Sequence, residues 1–214
     1  MKQLQTGDIL LCRGNGWISH LLEYVGKSKY SHVGMLLYNP TYLCETLTDG
    51  WYVWDASYSY TPEAEAHTKR FGVQIHSLRD IMALYPNQLY VRRCKAPRDD
   101  EFEKKLADIH KEVHAKPYDV HITDWIAAKL NMDNPFSVSI LWKHTDRFWC
   151  SALLCYIMVQ LGWVSDVNWS LVAPREFSST ESTGQLLFNC VLEDEEPLTN
   201  LPIVAREGSG PLAC

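Results

Sequence analysis

The segment from Ser151 to Gly162 carries no Asp, Glu, Lys or Arg, reads as a helix, and is opened by Cys150. A helix this apolar belongs in a core, and one cysteine alone in such a helix is usually packing. Its position at the helix start changes the reading. A cysteine there sits among amide N–H groups with no intrahelical acceptor, at the positive end of the macrodipole, and both effects favour the thiolate. Far upstream, Ser31-His32-Val33-Gly34 leads into a run to Tyr38 that reads as a strand. An imidazole held beside a thiolate makes an ion pair suited to attack on a carbonyl carbon. The candidate base therefore precedes the candidate nucleophile along the chain.

A third polar residue follows from strand periodicity. His32, Gly34, Leu36 and Tyr38 share one face, and Trp51, Val53 and Asp55 share a face of the next strand. Pairing Tyr38 with Asp49 in a hairpin sets Asp55 directly opposite His32, where its carboxylate accepts a hydrogen bond from the ring. Glu45 is a rival carboxylate, but it falls in the hairpin loop.

The remaining elements give an α+β reading, with strands clustered early and helices late. Ile9 to Leu11, 72–78, 88–94 and 186–192 read as strands. Ile18, Leu21, Leu22 and Val25 give helical spacing to 17–25. Phe102, Leu106, Ile109 and Val113 form an amphipathic stripe, and Thr123 caps a helix to Met132 that Asp133-Asn134-Pro135 ends. Residues 1–194 make a single catalytic domain, and 195–214, with three prolines and Gly208-Ser209-Gly210, a loose surface extension.

Composition narrows function. A net charge of -6 argues against binding a nucleic-acid backbone. The first eight residues are too polar for a signal-peptide core, and Ser151 to Val164 is too short to span a membrane. Seven scattered cysteines suggest a reducing, intracellular setting rather than a disulfide framework. Cys12, Cys44, Cys94, Cys155 and Cys190 read as packing residues. His110 and His114 are spaced to ligate zinc, but Glu112 is not in the H-E-x-x-H position and no CxxC pair adds ligands. They read as solvated, as does the acidic run Glu193 to Glu196, so no metal or organic cofactor is expected.

Several segments, in order, resemble the NlpC-type branch of papain-fold cysteine peptidases in its circularly permuted form, the YiiX-like and poxvirus-type branch. They are Gly7-Asp8-Ile9, Ser31-His32-Val33-Gly34-Met35, Trp54-Asp55-Ala56-Ser57, Lys116-Pro117-Tyr118-Asp119, Phe148-Trp149-Cys150-Ser151-Ala152-Leu153-Leu154 and Val172-Ala173-Pro174. The resemblance implies a barrel-like antiparallel sheet packed on the nucleophile helix. It makes Cys150 the nucleophile, His32 the base, Asp55 the third member, and Tyr118 a helper at the oxyanion. The expected activity is thiol hydrolysis of an amide or peptide bond through an acyl-enzyme. One alternative is acyl transfer, or lipid or ester hydrolysis, in a cleft lined by Trp17, Trp51, Trp54 and Trp149. The other is a non-catalytic binding module on the same scaffold. The expected partner is a peptide, amide or acylated substrate.

Overall fold

The structure, a computed structural model, describes residues 3–14, 28–48, 50–58, 61–117 and 148–201. The helices read over 17–25 and 123–132, and Tyr118, lie outside those residues. Six strands form one antiparallel sheet: β1 (Ile9–Cys12), β2 (His32–Tyr38), β3 (Trp51–Tyr58), β4 (Phe71–Ser77), β5 (Leu89–Arg92) and, past two shorter strands, β8 (Glu196–Pro197). Their order is β4-β3-β2-β1-β5-β8. Cys94–Lys95 (β6) and Val191–Leu192 (β7) make a separate ribbon. Among the described residues the α-helices are α1 (Leu78–Leu84), α2 (Asp100–Val113) and α3 (Cys150–Gln160). Among the described residues, no helix is long and apolar enough to cross a membrane.

Alternation along the strands builds a core on each side of the sheet. Val33, Met35, Leu37, Trp54 and Ile75 pack with α3 and with Phe102, Leu106, Ile109 and Val113 of α2. Leu10, Leu36, Val53 and Val91 pack on the other side with Leu78 and Ile81 of α1, and with Leu198 and Leu201. In α3, every residue from Cys150 to Met158 is buried, which is what a helix apolar on all sides requires.

The sheet is open, correcting the expected barrel-like closure. β4 and β8 are its two ends, and β8 is only two residues long. The outer side of β4 is met instead by the segment at Lys116 and Pro117, through Val73 N–H donating to Lys116 O at 2.8 Å and a bridge from Gly72 to Pro117.

Four other sequence readings are corrected. α1 follows β4 directly, started by Ser77, whose side chain accepts from Arg79 N–H. The late strand shrinks to Val191–Leu192. The segment beginning at Glu195 is not loose as far as Leu201, because β8 pairs with β5 and Leu198 and Leu201 are buried. The acidic run is solvated only at Asp194, its three glutamates being partly buried and partnered. Arg93 pairs with Glu193 and Glu196, while Glu195 accepts from Ser178, Ser179 and Thr180. Burial would raise the Glu195 carboxyl, but those donors hold it at about 2.

Candidate active site

Cys150 is the first residue of α3. The preceding residue, Trp149, has extended backbone and makes no side-chain bond to the helix's first turn, so the leading amides keep their donor capacity. Two anchors fix this end of the helix. Ser151 Oγ donates to Val172 O at 2.6 Å, and Phe148 N–H donates to Pro117 O at 3.1 Å. Pro117 reaches the sheet because Gly72, at φ +146°, has no side chain: a Cβ there would lie 2.2 Å from Lys116 O.

His32 begins β2 and pairs with Cys12 of β1. Its Nε2 donates to Asp55 Oδ2 at 2.7 Å, with the Asp55 side chain 1% exposed and the His32 side chain 17%. The register differs from the expected one by two residues. Asn39, at φ 45°, donates its N–H to Gly50 O and accepts from Gly50 N–H, so Tyr38 pairs with Trp51. A slip of two preserves the face, and Asp55 reaches His32 diagonally. Gly34 makes room for that approach. A Cβ on it would stand 2.8 Å from Val53 Cγ1 and 3.3 Å from Asp55 Cβ.

Asp55 is held from its other side too. Ser57 Oγ donates to Asp55 Oδ1 at 3.0 Å, and Gln74 Nε2 donates to Ser57 O at 2.6 Å and reaches Ser57 Oγ at 3.0 Å. The sequence reading missed both. Ser57 shares the Asp55 face by simple alternation, whereas Gln74 enters only through the β3–β4 register that pairs it with Asp55.

The Cys150 thiol is near enough for its charge to act on the His32 ring. Burial alone would lower the imidazole pKa, but the Cys150 charge and Asp55 outweigh it and carry it well above the ordinary histidine value. Cys12 lies close to the same ring and behaves differently. Its burial dominates, pushing the thiol up to about 12, so Cys12 stays protonated.

Cys150, His32 and Asp55 thus come together. Glu45 stays exposed in the β2–β3 loop, Trp54 is core, and Trp51 and Trp149 are half-buried. Cys155 is buried within α3, and Cys94 and Cys190 place their sulfurs 3.2 Å apart. His110 is a correction: rather than solvated, its side chain is 8% exposed and faces Glu65.

No family model matches this sequence, and no curated protein matches it either. Among solved structures, the Escherichia coli O157:H7 metalloprotein YiiX matches at a TM-score of 0.51 and 19% identity, over 91% of this chain and 99% of that one. The chain shares its α+β fold with YiiX.

Proposed function

We propose that the protein is a thiol hydrolase that cleaves an amide or peptide bond, built as a permuted NlpC-type papain-like domain. One observation carries the reading: the His32 ring is bonded to the buried Asp55 carboxylate and feels the charge of the Cys150 thiol, which stands at a helix N-terminus. With Nε2 committed to Asp55, Nδ1 is the nitrogen left for the thiol.

The chemistry follows from that arrangement. His32 takes the Cys150 proton, and the thiolate attacks the substrate carbonyl carbon. The first amides of α3 face the developing oxyanion. The C–N bond breaks as the imidazolium gives its proton to the leaving nitrogen, and an acyl thioester remains on Cys150. Water, deprotonated by His32, then attacks the thioester, releasing the acid and restoring the thiol. Asp55 keeps the ring oriented and stabilises its charged form throughout. A thiolate nucleophile and the Cys94–Cys190 thiol pair suit a reducing compartment.

The test is labelling with a thiol-directed electrophile at neutral pH, mapped by peptide mass spectrometry. Label should concentrate on Cys150 and vanish in Cys150→Ala with the fold retained. Equal labelling of that variant would reject the assignment. Incubation with peptide-amide and acyl-thioester libraries then identifies the acyl group trapped on Cys150.

A further inference from the structure

A second polar cluster lies across the sheet from Asp55. Trp54 and Asp55 are consecutive on β3 and so point to opposite faces, and the Trp54 ring meets the His110 ring edge-on at 5.7 Å. His110 and His114 stand one turn apart on α2 and its cap, and Glu65 reaches them from the loop before β4. Glu65 Oε1 is 2.8 Å from His110 Nε2, and Glu65 Oε2 is 3.4 Å from His114 Nδ1. All three donor atoms fall within 4.8 Å of one another.

The loop holding Glu65 is built in advance. Glu63, 0% exposed, accepts from the Glu65 and Ala66 N–H groups, both at 2.8 Å. Ala64 N–H donates to Ile75 O at 2.7 Å, tying the same loop to β4.

The contact with His110 is close without being a hydrogen bond. His110 Nε2 is buried and makes no aligned hydrogen bond, although Glu65 Oε1 lies 2.8 Å away. That is the geometry of two donors converging on a shared third point. Two imidazole nitrogens and a carboxylate oxygen are the ligand set of zinc-class ions with three protein ligands and one open position. With bonds of about 2.0–2.2 Å, tetrahedral ligand atoms sit roughly 3.3–3.6 Å apart, which the Glu65–His114 separation of 3.4 Å meets and the shorter Glu65–His110 contact would open to reach.

We propose that Glu65, His110 and His114 bind a divalent zinc-class ion, its fourth position open to solvent beside His114, whose side chain is 40% exposed. The ion would clamp the loop before β4 to α2, behind Trp54. Zinc bound there would require both imidazoles neutral, so binding would release any protons they carry.

The test uses the full chain stripped with a chelator and kept reduced, titrated with zinc(II) by calorimetry and with cobalt(II) by absorption. We expect one equivalent of zinc, and cobalt bands of a four-coordinate nitrogen–oxygen site without sulfur charge transfer. His110→Ala and the more exposed His114→Ala should each weaken zinc binding by more than about 100-fold, while Cys150→Ala keeps it. Circular dichroism checks that each variant is folded, and His114→Ala serves if His110→Ala is not. A sulfur charge-transfer band, or a folded His114→Ala that binds zinc as tightly as the parent, would overturn the proposal.

Discussion

His32 and His110 each place a ring nitrogen within 2.8 Å of a nearly buried carboxylate, on opposite faces of the same sheet. What differs is how each carboxylate uses its two oxygens. Asp55 gives one to His32 in an aligned hydrogen bond and satisfies the other with Ser57. Glu65 offers both to imidazoles, one of which has no aligned bond. The third partner differs as well: a thiol at a helix N-terminus for His32, a second imidazole for His110. A carboxylate fully occupied by one ring and one hydroxyl orients that ring for proton transfer. One that divides its oxygens between two rings is arranged for the cation proposed above.

The comparison breaks most visibly at the thiol. Cys150→Ala should remove electrophile labelling altogether, and turnover should fall by about 10⁴-fold or more once a substrate is found. Asp55→Asn comes next, with turnover down by about 10²–10⁴-fold in a folded protein, because the ring loses its anion. It also has a pH signature. The folded-state pKa of His32 is raised, so its stabilisation is full below the unfolded value of about 6.5 and is lost as pH rises through the folded value. Denaturant midpoints measured against pH should fall on the alkaline side in the parent, and fall less in Asp55→Asn. Gly34→Ala should cost about 1–3 kcal/mol by denaturant unfolding, since the added carbon meets Val53 and crowds Asp55, and it should slow labelling. Ser57→Ala should have the smallest effect, about 1 kcal/mol of stability and a several-fold slower labelling rate, because it leaves Asp55 Oδ1 without its hydroxyl donor.

The two sites were not equally legible. The Cys150 helix announces itself by an uncharged run, and the faces of His32 and Asp55 follow from period-two alternation, which survives a register error of two residues. The register itself depends on Asn39 closing on Gly50, a detail of loop geometry that strand patterns do not carry. Neither Gln74 nor Glu65 has a local signal. Gln74 arrives by strand pairing, and Glu65 by a loop that the buried Glu63 shapes. His110 flanks the apolar stripe of α2 and so read as solvated, until that loop covered it. α1 escaped notice because Leu78 to Leu84 directly continues a strand-like run.

The central claim is that His32 is coupled to the Cys150 thiol, and ¹⁵N NMR of the His32 ring through a pH titration tests it most directly. The account predicts a His32 midpoint well above 6.5 in the parent, falling in Cys150→Ala as the sulfur's charge is removed. A midpoint at the ordinary histidine value, unmoved by the loss of Cys150, would contradict it.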